Sequence, residues 1–155
     1  MKKEDMINFG LHKVTTEQFA IISEAPKDEK EITLNSNFKF VTDTEHRVIA
    51  TLLRIIFNKK DSPFLLLETG CNFIIEKESW VKLFDKENKI LTLPQGFASH
   101  LLMIGMGTTR GILHSKTENT PYNKYILPLM NVSNMVKSDV EIIIDQVKQT
   151  RVELE

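Results

Sequence analysis

The sequence predicts an α+β domain, strands first and helices afterwards, and three observations carry that reading. Ile32, Leu34, Phe38 and Phe40 share one parity while Thr33, Asn35, Asn37 and Lys39 take the other, the mark of a strand with one apolar face. Two further apolar runs follow across short breaks, which favours an antiparallel meander over a parallel sheet. From Gln95 to Thr117 the apolar residues then recur at helical spacing.

In chain order, Ile7 to Ile22 mixes apolar and polar residues without a clean period and reads as a weak strand. It closes at Glu24-Ala25-Pro26, and Lys27 to Glu31 is a charged turn. After the alternating strand, Thr42-Asp43-Thr44-Glu45 supplies turn chemistry, and Arg47 to Phe57 is a β-branched and aliphatic run. Asn58 to Pro63 breaks the chain again, and Phe64 to Ile75 is the next run. Gly70 inside it points to a bulge or a close backbone approach. Val81 to Leu93 reads as a mixed loop ending at Pro94.

The long helix is apolar on more than one side. Phe97, Leu101, Ile104 and Thr108 form one row, with Ala98, Leu102, Gly105, Thr109 and Ile112 beside it. Met103, Met106 and Leu113 lie off both rows, and a helix apolar on most sides must be buried on most sides. One sheet covers one face, so Leu101, Met103, Ile104 and Met106 are expected at a contact with a second subunit. Gly105, Gly107 and Gly111 each cost about 1 kcal/mol of helix propensity, which suggests close helix–helix approach or a kink. Ser138 and Glu141 have capping-box spacing, and Val140, Ile143, Ile144 and Val147 continue it as an amphipathic C-terminal helix over 137–155. The whole chain, 1–155, is read as one domain.

Composition narrows the function classes. The 41% hydrophobic and 26% charged content exclude wholesale disorder. Twenty basic against twenty-one acidic residues argue against a dedicated nucleic-acid partner. Cys71 is the single cysteine, which excludes an internal disulfide and a cysteine-built zinc site. MKKEDMINFG has no apolar core of a signal peptide, and no stretch approaches the ~18 apolar residues of a membrane span. The expectation is a cytoplasmic protein without membrane insertion.

Few constellations carry chemistry. Gly105-Met106-Gly107-Thr108-Thr109-Arg110-Gly111 has the residue types of a nucleotide loop. It lies inside a helical pattern instead of between a strand and a helix start, and no Walker-type Lys-Ser/Thr follows, so helix packing is the stronger reading. His100 and His114 are about 21 Å apart along one helix, too far to share a metal. His12 and His46 have no matched carboxylate, and Cys71 in an apolar run reads as a small buried hydrophobe. Glu76 and Glu78 read as a solvated strand exit, and Asn131-Val132-Ser133 matches a glycosylation sequon without an export signal beside it. No catalytic residue, metal site or cofactor is assigned. What remains is aromatic and apolar material around the strand and the loop. Leu34, Phe38 and Phe40 with Trp80, Leu83 and Phe84 are expected to line a groove between sheet edge, loop and helix.

The order of parts is itself informative. Glu24-Ala25-Pro26 closes the first strand, Leu52-Leu53-Arg54 lies in the second full one, and Phe64-Leu65-Leu66-Leu67-Glu68 opens the third. A long loop then leads to the Pro94-to-Thr117 helix, Asn119-Thr120-Pro121-Tyr122, and Ile126-Leu127-Pro128-Leu129-Met130-Asn131-Val132. Over residues 7 to 136 this resembles the SecB-type export chaperones, particularly their divergent SecB-like branch. The resemblance implies a four-stranded antiparallel sheet with a long helix behind it, and a homotetramer built as a dimer of dimers. It implies ATP-independent binding of unfolded polypeptide clients and handover to the SecA motor of the Sec translocase, or, in some relatives, guarding of an antitoxin. Glu24 and Glu68 are the positions it offers for motor docking, while Ala20 stands where another acid is expected and the chain is nearly neutral. A holdase, a small nucleotide enzyme around Gly105 to Gly111 and a lipid or apolar-ligand binder are the three competing expectations.

Overall fold

The computed structural model describes residues 6–144. Four long strands, β1 (Phe9–Ile21), β2 (Ile32–Asp43), β3 (Val48–Lys59) and β4 (Ser62–Ile75), form one antiparallel sheet in the order β1-β4-β3-β2. The consecutive hairpins β2-β3-β4 are the expected meander, and β1 completes a Greek-key arrangement by pairing with β4. β3 and β4 are joined by Lys60 and Asp61 alone, at φ 49° and 65°, the two-residue turn whose twist suits a hairpin. The longer β2–β3 turn is organised by Asp43, whose Oδ1 accepts from the backbone N–H groups of Glu45 and His46.

β1 lacks a clean period for a definite reason. Its pairing with β4 slips by one residue at His12 and again at Glu17. Each bulge resets the parity, so the residues opposite one face of β4 are Phe9, Leu11, Val14, Thr16, Phe19 and Ile21. The Phe9 ring meets Phe73 edge-on at 5.8 Å, which identifies that face as the core side.

Helix α2 (Gln95–Thr117) has the predicted bounds and lies across β3 and β4. Its inward row, Ala98, Leu101, Leu102, Gly105, Met106, Thr109 and Leu113, covers Ile49, Leu53, Ile55, Leu65, Leu67 and Phe73. The centre of this interface holds hydroxyls. Thr69 and Thr109 share a 2.7 Å hydrogen bond, and Thr109 Oγ1 also donates to the Gly105 carbonyl at 2.7 Å. A Cβ on Gly105 would stand 2.9 Å from Thr51 Oγ1, so the glycine lets helix and sheet touch. Gly107 and Gly111 instead face outward into open space.

Two expectations are corrected here. The stretch after Ile75 is not a loop: it forms a short helix α1 (Lys77–Leu83) and two small strands, β5 (Phe84–Asp85) and β6 (Ile90–Leu93). Leu91 and Leu93 are buried at a period of two, and the Asp85 carboxylate organises the turn by accepting from Glu87 N and Asn88 N. The shorter helix therefore precedes α2 instead of following it. The C-terminal helix over 137–155 is replaced, where described, by strand β7 (Val140–Ile143), paired with β6 from Leu93↔Val140 to Ile90↔Ile143. The cause is that Val140, Ile142 and Ile143 are β-branched and the open edge of β6 offers a ladder, continued by Ile144 N to Lys89 O. Residues 145–155 of that expected helix, Val147 among them, lie outside the described residues. Among the described residues no helix is long and apolar enough to cross a membrane.

Candidate binding cleft

Among the described residues β2 is an edge strand, because β3 covers only one of its sides. Its Phe38 and Phe40 lie on the core-facing parity, half-buried, with their rings edge-to-face at 5.9 Å. Opposite them runs the segment Met135–Val140, between a 3-10 turn at Val132–Asn134 and β7. Between these two walls is a cleft of about 390 Å³. Phe38, Phe40, Met135, Val136 and Val140 supply its apolar lining, and Lys137, Ser138 and Asp139 its polar rim. This is an apolar trough beside an edge strand, of a size that takes side chains.

The expected site residues separate into groups. Phe38 and Phe40 line the cleft, and Leu34 is half-buried on the same strand face, packed against the core. Trp80 and Leu83 are each only 6% exposed, inside the core on α1. Phe84 is half-buried at the end of α1, its ring 5.7 Å from that of Trp80. These three are absent from the cleft lining, so the premise of an exposed aromatic loop is corrected. A short amphipathic helix, hidden in sequence because it spans only two turns, turns Trp80 inward. Met135, Val136 and Val140 were missed as wall residues. Their only signal is an apolar spacing in a stretch without sheet or long-helix period.

The proposed oligomer residues also divide. Leu101 and Met106 belong to this chain's own core, at 0% and 4% exposure, and cannot meet another subunit while the domain is folded. Met103 is 58% exposed on the outward side of α2, and Ile104 is partly buried. Leu11 and Val14 of β1 are also exposed on the helix side of the sheet, where β1 extends beyond the strands under α2.

The opposite face of the sheet is mixed in charge. Glu68 is half-buried, with Arg54 Nε 3.6 Å from its carboxylate, and Gln18 and Asn37 complete that row across the strands. Glu24 lies exposed beyond β1. Burial pushes the Cys71 thiol up from its ordinary pKa, which disfavours the thiolate form. Asp43, Glu45 and His46 bring ligand-type atoms within 4.8 Å of one another. Asp43 is already engaged in the hairpin turn, with Oδ2 2.7 Å from His46 Nδ1, so the group has a structural role and the expectation that His46 has no matched carboxylate is corrected.

No protein-family model and no curated protein matches the chain. Among solved structures, it is similar to the Mycobacterium tuberculosis Rv1957 SecB-like chaperone in complex with a ChAD peptide from the Rv1956 HigA1 antitoxin. The two are 11% identical, with 79% of this chain and 91% of that chain covered and a TM-score of 0.48.

Proposed function

We propose that the protein is a SecB-type holdase, an ATP-independent chaperone that covers apolar segments of unfolded or export-bound polypeptides. The observation that carries the reading is the cleft at the β2 edge, where Phe38 and Phe40 face Met135, Val136 and Val140 beside strand backbone that no described strand pairs. Apolar burial is non-directional and an edge strand offers backbone groups to any sequence, so such a site accepts many clients. Covering it is worth roughly 25 cal/mol per Å² before ordering costs. The four-stranded antiparallel sheet followed by a long helix on one face supports the reading. Assembly as a homotetramer belongs to it, with Met103, Gly107 and Gly111 on the outward side of α2 available for close contact between copies.

Delivery to the Sec motor is the finer form of this proposal, with Glu24 and Glu68 as its docking positions. A second reading, a chaperone dedicated to one partner such as an antitoxin, is favoured by the Arg54–Glu68 pairing, which engages one of the two carboxylates that would meet the motor. An aggregation-suppression assay with an unfolded substrate, run with and without ATP, tests the holdase. Stoichiometric suppression independent of ATP is expected, and Phe38→Ser or Phe40→Ser should weaken it while tetramer mass is kept. No suppression by the parent rejects the reading; saturable ATP binding turns it towards a nucleotide enzyme, and a copurified lipid towards an apolar-ligand binder. Calorimetry against the purified SecA motor separates the two chaperone readings, since a dedicated chaperone gives no heat.

A further inference from the structure

The two walls of the cleft are built differently. β2 is fixed by a full ladder to β3 from Ile32↔Lys59 to Asp43↔Val48. Met135–Val140 has no such ladder before its last residue, where β7 begins. Two contacts tie it to the start of α2: Asp139 Oδ1 accepts from Gln95 N at 2.9 Å, and Gln95 Nε2 donates to the Val136 carbonyl at 3.0 Å. One residue, Gln95, therefore holds this wall through both its backbone and its side chain. The width of the cleft follows from where that wall stands.

We propose that Gln95 and Asp139 form a latch that holds Met135–Val140 close to Phe38 and Phe40 and so regulates the entry of an extended polypeptide segment; this rests on the holdase reading above. Gln95 is a firm anchor because the first turns of α2 are seated in the core through Ala98, Leu101 and Leu102. The N–H groups of a helix's first turn lack partners within the helix, and Asp139, 44 residues away in sequence, satisfies one of them with a carboxylate at the positive end of the dipole. The Gln95–Asp139 contact is exposed to water, which makes it weak enough to open. Val136, 3% exposed behind it, keeps the closed position the favoured one. When the competent state is a minority, apparent affinity is the intrinsic value reduced by the open fraction, so a weaker latch gives tighter client binding. Release of one such hydrogen bond shifts the opening equilibrium by about three- to ten-fold.

The test uses the full chain and a permanently unfolded probe, fluorescently labelled, reduced and carboxymethylated α-lactalbumin, read by polarisation. Asp139→Ala and Gln95→Ala should each lower the half-saturating concentration by about three- to ten-fold. Asp139→Asn, whose amide oxygen still accepts from Gln95 N, should stay near the parent. Hydrogen exchange without probe should quicken at Val136 to Val140 in the alanine variants and stay unchanged in β3 and β4. That second measurement separates latch release from general loosening of the fold. A parent that binds probe while the alanine variants match it in affinity and exchange overturns the latch alone. A parent that binds no probe overturns the holdase reading and this inference with it.

Discussion

Between α2 and strands β3 and β4 the contact is close and apolar, tightened at its centre by Gly105 on Thr51 and by Thr69 on Thr109. Between β2 and Met135–Val140 the contact is an open cleft, with two polar ties to Gln95 at its rim. The first region draws its stability from area removed from water over a whole helix face, the second from the burial of Val136 and two hydrogen bonds at its rim. The difference teaches where change is tolerated. Side chains under α2 determine whether the domain folds, whereas those around the cleft have room to determine what it binds.

The largest expected effect breaks the apolar side. Trp80→Ser and Leu101→Ala should cost about 3–5 and 2–5 kcal/mol, because both side chains are buried and leave cavities. Urea unfolding measures this; a Trp80→Ser variant with parental stability would return that residue to the surface. Next, Gly105→Ala should destabilise by about 1–3 kcal/mol despite the better helix propensity of alanine, since its Cβ meets Thr51. Gly107→Ala, with open space around it, should raise the melting temperature of the isolated subunit and lower that of the assembly if copies meet there.

Met103→Asp sharpens the comparison on the outer side of the helix. In the proposed tetramer it should leave the subunit folded but reduce the mass in light scattering from four times 17.9 kDa, because a carboxylate at the proposed interface would be left unpaired. Leu101→Asp should instead prevent folding. A parent that is monomeric at micromolar concentration removes the proposed assembly. The smallest effect belongs to the β5–β6 turn. Hydrogen bonds from the Asn88 side chain and backbone hold the Asp85 carboxyl below its usual range. Such a group stabilises the fold above its unfolded pKa, and that contribution is lost as pH falls through the depressed folded value. Asp85→Ala should therefore flatten the acid limb of the stability–pH curve slightly, and an unchanged acid limb would dismiss the role.

Much of this fold was legible because period and burial agreed. Ile32 to Phe40 alternates, the Gln95–Thr117 pattern is helical throughout, and each has one broad apolar partner, so local pattern and tertiary environment point the same way. β1 was faint because bulges at His12 and Glu17 change its parity, and a bulge is a property of the pairing with β4. Val140 to Ile143 carries both a capping-box spacing and β-branched residues. The open edge of β6 resolved that ambiguity in favour of a strand. For the site, the sequence by itself determined that Phe38 and Phe40 would share a strand face. Only the tertiary structure decided that Met135, Val136 and Val140 would stand opposite them, and that Trp80 and Leu83 would be turned into the core. The physical reason is range: periodicity reports the face a residue shares with its near neighbours, whereas a cleft is made by segments about a hundred residues apart, brought together by burial elsewhere.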